Sequence, residues 1–268
     1  MMTWLEALVL GLIQGLTEFL PVSSSGHLQI FSTLFGIQGE ENLTFAVAVH
    51  AATVCSTIVV LRNEIWDLLK GLFRFSWNPE TIYIAKIALS MIPVAIVGVF
   101  FKDYVEALFG SGLLVVGVAL LITACLLAFA YYARPRLKTD ISFRDAFIIG
   151  VAQACAVLPG LSRSGSTILG GILLGASRYV AAEFSFFLSI PIMFGASLLK
   201  LVKFGFTFTP AEILTLVTGV VVAFFVSVIA IKFLMGYIKK HDFKAFGWYR
   251  IVLGILVLGY FIGRNFLG

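Results

Sequence analysis

Glu18, His27 and Arg163 fall in or beside two short polar interruptions of otherwise apolar stretches in a 268-residue chain. An ionisable group inside an apolar membrane segment costs at least ~2.5–3.5 kcal/mol on insertion scales, so each is a candidate for chemistry by default. The interruptions read Pro21-Val-Ser-Ser-Ser-Gly-His27 and Pro159-Gly-Leu-Ser-Arg-Ser-Gly-Ser-Thr167. Each offers serine hydroxyls, backbone N–H groups freed at Ser23–Gly26 and Ser162–Gly165, and the start of a new helix, a combination that suits an anion. Arg163 adds a planar fork able to grip phosphate oxygens with two parallel hydrogen bonds. Gln14 and Glu18 are four residues apart and so share one helical face. A carboxylate beside a phosphate repels it unless a hard cation such as Mg2+ or Ca2+ bridges the two, which makes Glu18 a candidate metal ligand. Histidine is the side chain whose ordinary pKa lies nearest neutrality, so His27 suits proton transfer to or from a reacting oxygen. Ser24 is a candidate nucleophile; with equal weight it is a phosphate ligand while water attacks.

The elements that position these groups follow from composition. The chain is 60% hydrophobic and 12% charged, with a mean hydropathy of +1.04. Soluble domains carry about 25% charged residues, so most of this surface faces lipid. Six stretches are long enough, or nearly so, to cross a bilayer as helices: about 45–61, 82–101, 113–133, 181–200, 213–235 and 247–266. Four others, 7–20 with 28–37 and 146–158 with 168–176, are too short, and the two interruptions split them into pairs. Non-helical backbone at that depth is tolerated only where it faces protein or a wet cavity. They read as two re-entrant hairpins whose tips line a cavity.

The halves resemble each other. Gly11-Leu-Ile-Gln14 leads to Leu20-Pro21, Gly150-Val-Ala-Gln153 leads to Leu158-Pro159, and three spanning segments follow each hairpin. The expected fold is all-α: one polytopic membrane domain over 1–268, with repeat 1 at about 1–134 and repeat 2 at about 140–268. An odd number of crossings per half makes the repeat inverted, so the hairpins enter from opposite faces. Orientation follows from loop charge. One side carries Arg62, Lys70, Arg74, Arg134, Arg136, Lys138, Arg144, Lys232, Lys239, Lys240 and Lys244; the other has Lys102, Lys200, Lys203 and Arg264. The basic side is expected to be cytoplasmic and both termini outside. The net charge of +5 is thus a matter of topology and not of nucleic-acid binding. No cleavable signal peptide is expected. Cys55, Cys125 and Cys155 have no metal-ligand spacing and read as packing residues.

Each candidate has a structural alternative. Glu18 and Arg163 are an ion pair bracing the hairpins in that reading, and Ser23, Ser25, Ser164 and Ser166 satisfy freed backbone groups. Thr17 bonds back to its own helix, and His50, without acidic neighbours, is a packed neutral histidine. Lys86 and Arg250 snorkel toward helix ends. Gly98, Gly117, Gly170 and Gly171 mark close helix contacts.

Gln14-Gly-Leu-Thr-Glu18-Phe-Leu-Pro-Val-Ser-Ser-Ser-Gly-His27 and Pro159-Gly-Leu-Ser-Arg-Ser-Gly-Ser-Thr167 resemble the two signature motifs of the bacterial undecaprenyl-diphosphate phosphatase family, the bacitracin-resistance type, as does Glu183-Phe-Ser-Phe. The resemblance implies removal of the terminal phosphate from undecaprenyl diphosphate, supplying the lipid carrier for envelope glycan synthesis. It also implies a required divalent cation, residence in the bacterial inner membrane, and a site opening to the outer face. Carried over, the acidic motif falls on Gln14 and Glu18, the serine and histidine on Ser24 and His27, and the arginine motif on Ser162, Arg163 and Thr167. The phosphate-binding set adds Ser23, Ser25, Gly26 and Ser164. Many members have a glutamate where this chain has Gln14; an amide still offers a hard cation an oxygen, so Gln14 joins Glu18 as a metal candidate. The expected partners are the lipid substrate, the membrane and a second copy in a homodimer. The rival function is a transporter or flippase of a polyprenyl phosphate, since paired re-entrant hairpins are also transporter architecture. Against it stand His27 and Ser24, which binding alone does not need. An acid-phosphatase-type lipid phosphatase fails because it needs a histidine soon after Ser162-Arg163, and the only one after His50 is His241.

Overall fold

The computed structural model describes residues 2–37, 40–101, 103–104, 107, 112–132, 138–204 and 209–266. Among the residues counted for orientation, Lys102, Arg134 and Arg136 lie outside this set, as do the side chains of Lys200 and Lys203. The described chain folds into α1 (Trp4–Thr17), α2 (Ser24–Phe35), α3 (Glu40–Val60), α4 (Arg62–Leu72), α5 (Pro79–Phe100), α6 (Leu113–Tyr132), α7 (Phe143–Cys155), α8 (Arg163–Leu173), α9 (Arg178–Phe204), α10 (Pro210–Tyr237) and α11 (Lys244–Phe266).

Among the described residues five helices, α3, α5, α9, α10 and α11, are long and apolar enough to cross a membrane; α6 carries a shorter apolar stretch, Leu113–Phe129, along α11. Their outward faces are apolar too: Val99, Phe100, Phe129 and Ile229 are all exposed. The chain is therefore a multi-pass membrane protein. By contrast α1 has 14 residues and α7 has 13, each about 20 Å at 1.5 Å per residue, short of a ~30 Å hydrocarbon core. The charged stretch 62–80 is not all loop as its charges suggest: Arg62–Leu72 forms helix α4. Its Ile65 and Leu68 pack on the core, while Trp66 and Lys70 stay exposed.

The two hairpins begin alike. Thr3 caps α1 by accepting from the Glu6 amide at 3.2 Å while Glu6 accepts from the Thr3 amide at 2.6 Å; Ser142 and Asp145 form the same reciprocal box on α7. The next correspondence is in packing. Half-helix α1 lies along α10, and α7 lies along α5, so each half of the chain receives the other's hairpin. Gly11 and Gly150 permit this. A Cβ on Gly11 would stand 2.7 Å from the Gly219 carbonyl oxygen, and one on Gly150 would stand 2.4 Å from that of Ser90. Hydroxyls seal both contacts: Ser227 donates to the Gly15 carbonyl, and Ser90 to that of Ala146 at 2.7 Å. Phe19, fully buried just before the first tip, inserts edge-on against Phe186 of α9 with ring centroids 5.4 Å apart, tying that tip to the main core.

Candidate active site

Both polar interruptions break the backbone in the interior, and there the two tips interlock. The Gly26 position packs against Gly160, and the Gly165 position against Pro21, so each new helix starts on the other tip's break. Ser164 donates to the Leu20 carbonyl at 3.0 Å, a direct bond between the tips. Ser23 caps α2 and Ser162 caps α8, each accepting from the amide three residues on, at 3.3 and 3.0 Å. Ser23 holds φ 74°, ψ 93°, a left-handed backbone that a residue with a Cβ adopts only when its surroundings impose it.

Glu18 closes α1 and is buried beneath the tips. Its Oε1 accepts from Arg163 Nη2 at 2.7 Å; its Oε2 accepts from Ser24 Oγ at 2.6 Å and Gln14 Nε2 at 2.9 Å. One carboxylate thus joins a helix end, the first residue of α2 and the first residue of α8. The ion pair expected as the bracing alternative is present, and it includes the predicted serine and glutamine. Arg163 also donates from Nη1 to the Ser185 carbonyl at 3.3 Å and lies 3.1 Å from Met193 Sδ. Thr167 hydrogen-bonds Ser185 Oγ at 2.6 Å and donates to the Arg163 carbonyl at 2.9 Å, so it holds the wall behind the guanidinium. Ser25 Oγ lies 3.4 Å from Ser23 Oγ. His27 is committed elsewhere: Nδ1 to the Ser23 carbonyl at 2.7 Å, and Nε2 to the Tyr249 hydroxyl at 2.6 Å. The proton of Ser24 is therefore offered to Glu18 rather than to His27.

Two residues read as structural belong here. His50, reached from α3, puts Nε2 3.5 Å from Glu18 Oε2. Its acidic neighbour lies on another helix, so no local pattern announces it. Arg250 does not snorkel. It is fully buried and donates to the carbonyls of Leu120 (3.3 Å), Pro21 (3.2 Å) and Gly160 (2.9 Å), clamping both breaks at once. Among the described residues no carboxylate pairs with it. The insertion cost that singled out Arg163 singles it out too, but its place early in α11 disguised it. Lys86 is buried as well and reaches the exposed Asp140 at 2.9 Å from both carboxylate oxygens.

A hard cation has two oxygens to meet. Gln14 turns its amide nitrogen to Glu18, because the flipped amide would set oxygen against carboxylate; its Oε1 is left buried without a partner. Such an orphan beside a carboxylate fits a cation held mainly by phosphate oxygens and water, as Mg2+ usually is. No group of three or more His, Cys, Asp or Glu side chains that could hold a metal occurs among the described residues. In the second hairpin the positions corresponding to Gln14 and His27 are Gln153 and Ser166. Both Gln153 amide atoms and Ser166 Oγ are buried and unpartnered, and no carboxylate stands where Glu18 does. The repeat keeps the frame, and only the first hairpin carries the acid and the imidazole.

Residues 7–256 match the family model described as bacitracin resistance protein BacA. A protein of Bacteroides thetaiotaomicron named undecaprenyl-diphosphatase is 56% identical over 260 residues, covering 96% of this chain and 98% of its own. One of the same name from Parabacteroides distasonis is 55% identical with the same coverage, and one from Enterococcus faecalis is 42% identical over 268 residues, covering 95% of each.

Proposed function

The chain belongs to the bacitracin resistance protein family, and on that premise we infer that it is an undecaprenyl-diphosphatase, which cleaves the terminal phosphate of undecaprenyl diphosphate to leave undecaprenyl phosphate and inorganic phosphate. The observation that carries this reading is the buried junction of Glu18, Ser24 and Arg163 at two facing helix starts. There a diphosphate meets a guanidinium fork, first-turn N–H groups and serine hydroxyls, with the charge of Arg250 close behind.

In the roles we assign, Arg163 and the tip N–H groups stabilise charge on the transferring phosphoryl group, since positioning and electrostatics supply most of the catalysis in such transfers. Glu18, 2.6 Å from Ser24 Oγ, orients that hydroxyl and accepts its proton when Ser24 attacks; a water in its place uses the same carboxylate. His27 moves a second proton. Ser162 and Thr167 hold the arginine helix, and Ser23, Ser25, Gly26 and Ser164 shape the loop around the phosphate. Gln14 Oε1 and Glu18 would hold a divalent cation together with the diphosphate; bound there, the cation neutralises phosphate charge. We place the protein in the bacterial inner membrane with termini outside and the site open to the outer face, as the loop charges favour for the helices. We also propose a homodimer, which the mass of the detergent-solubilised protein by light scattering tests; a monomer mass overturns it.

The deciding experiment is phosphate release from undecaprenyl diphosphate by purified protein in detergent, with Mg2+, Ca2+ or chelator. Cation-dependent release, lost in folded Glu18→Ala and Arg163→Ala variants, is the expected result. No release under any cation overturns the assignment.

A further inference from the structure

Neither ring nitrogen of His27 is free. Nδ1 lies 2.7 Å from the Ser23 carbonyl, which only accepts, so Nδ1 carries a hydrogen. In the neutral ring Nε2 is then a lone pair, and the Tyr249 hydroxyl 2.6 Å away must be donating to it. The two rings lie parallel, 5° apart in plane with centroids separated by 5.6 Å. His27 is 4% exposed, whereas Tyr249 is 46% exposed. Arg250, the next residue, is pinned by its three carbonyls, so α11 cannot turn the tyrosine away. Among the described residues, Arg250 is the charged group close enough to act on the imidazole, held to the same tip through the Pro21 carbonyl. With Nδ1 committed, any proton His27 exchanges crosses Nε2, and the atom already standing there is Tyr249 Oη.

We propose that Tyr249 relays the proton of the dephosphorylation to and from His27, an inference that rests on the proton-transfer role assigned to His27. As the O–H bond of the water that releases phosphate from Ser24 breaks, Tyr249 Oη takes that second proton and passes its own to Nε2, while Glu18 returns to Ser24 Oγ the proton it took in the first step. The Nε2 lone pair becomes an N–H bond, tyrosine stays neutral throughout, and the imidazolium is held between the Ser23 carbonyl and Tyr249 Oη. The reverse transfer protonates a leaving phosphate oxygen. The sequence gives no hint of this pair, since its members lie 222 residues apart.

Tyr249→Phe keeps the ring and its stacking and deletes only the hydroxyl. Phosphate release from undecaprenyl diphosphate in detergent is measured for Tyr249→Phe, His27→Gln and the double variant, each checked for folding by gel filtration. General acid–base groups contribute about 10^2–10^4-fold, so Tyr249→Phe should lower kcat by at least about tenfold with KM within about threefold. Because relay partners act as a unit, the double variant should be no slower than the worse single variant. Normal kcat in Tyr249→Phe beside an inactive His27→Gln overturns the relay and leaves the histidine's role standing, and so do losses that multiply in the double variant. An active His27→Gln overturns the role of His27 and the relay with it.

Discussion

Replacing Arg163 separates a chemical role from a bracing one. The Glu18–Arg163 pair is 2.7 Å long, with side-chain exposures of 5% and 15%. In Arg163→Ala the carboxylate stays buried and keeps only Ser24, Gln14 and the more distant His50. Breaking a buried pair from one side typically costs about 3–5 kcal/mol, which for a chain of this size lowers the unfolding midpoint by on the order of 10 °C. Activity falls as well, but destabilisation alone could cause that. The informative variant is Glu18→Gln with Arg163→Met, which buries no unpaired charge and should recover most of the lost stability. If the pair only braces the tips, that double variant regains turnover. If the pair serves the chemistry, Arg163 steadying the phosphoryl charge and Glu18 taking the proton, turnover stays down by at least about 10^2–10^5-fold, the range for charge-stabilising donors alone. Thermal unfolding in detergent and phosphate release are measured on the same samples. A double variant stable like the parent and within about tenfold of its turnover would refute the chemical reading.

The corresponding glycines invite a packing test. Gly150→Ala drives a methyl into the Ser90 backbone and should cost about 1–3 kcal/mol, whereas Gly98→Ala, with nothing within 4 Å, should be silent in thermal unfolding. Ser142→Ala removes one half of the capping box on α7 and should cost about 1 kcal/mol by the same measurement. Arg250→Lys keeps the charge but cannot fork to Pro21 and Gly160; limited proteolysis should then cut near the tips faster than in the parent. Gln14→Leu removes the orphan oxygen, so half-maximal activity should need severalfold more Mg2+, and an unchanged requirement would exclude Gln14 as a ligand.

The two breaks were legible in the sequence because proline, glycine and serine interrupt apolar runs at a depth where interruptions are costly. The half-helices they flank shift by only a few residues, observed at Trp4–Thr17 against 7–20 and at Phe143–Cys155 against 146–158. Thr17 bonds back to the Ile13 carbonyl at 2.6 Å, as its type and place suggested. Gly117 and Gly171 do sit in tight contacts, but Gly98 faces open space, since a glycine's spacing does not say which face meets a neighbour. Helix α4 escaped because Arg62, Glu64, Asp67 and Lys70 break its hydropathy while its apolar stripe survives. Within the site, Gln14, Glu18 and Ser24 were within reach because they share one hairpin. His50, Tyr249 and Arg250 were not, because their roles come from helices brought together only by the fold.

The exchange of half-helices has a consequence for how the protein is made. Helix α1 finishes its packing only on α10, which leaves the ribosome roughly 200 residues later, on the order of 10–40 s at ordinary synthesis rates. Glu18 has no Arg163 until 145 residues after it have been made, and the first break has no Arg250 to take its carbonyl until 229 residues after Pro21, later than α10 itself. A carboxylate and open backbone cannot wait in hydrocarbon, so the first hairpin must linger at the interface or beside the insertion machinery until the second half arrives. The amino-terminal half, made alone, should therefore be unstable in the membrane, because the partners of its hairpin, α10, Arg163 and Arg250, all lie in the second half.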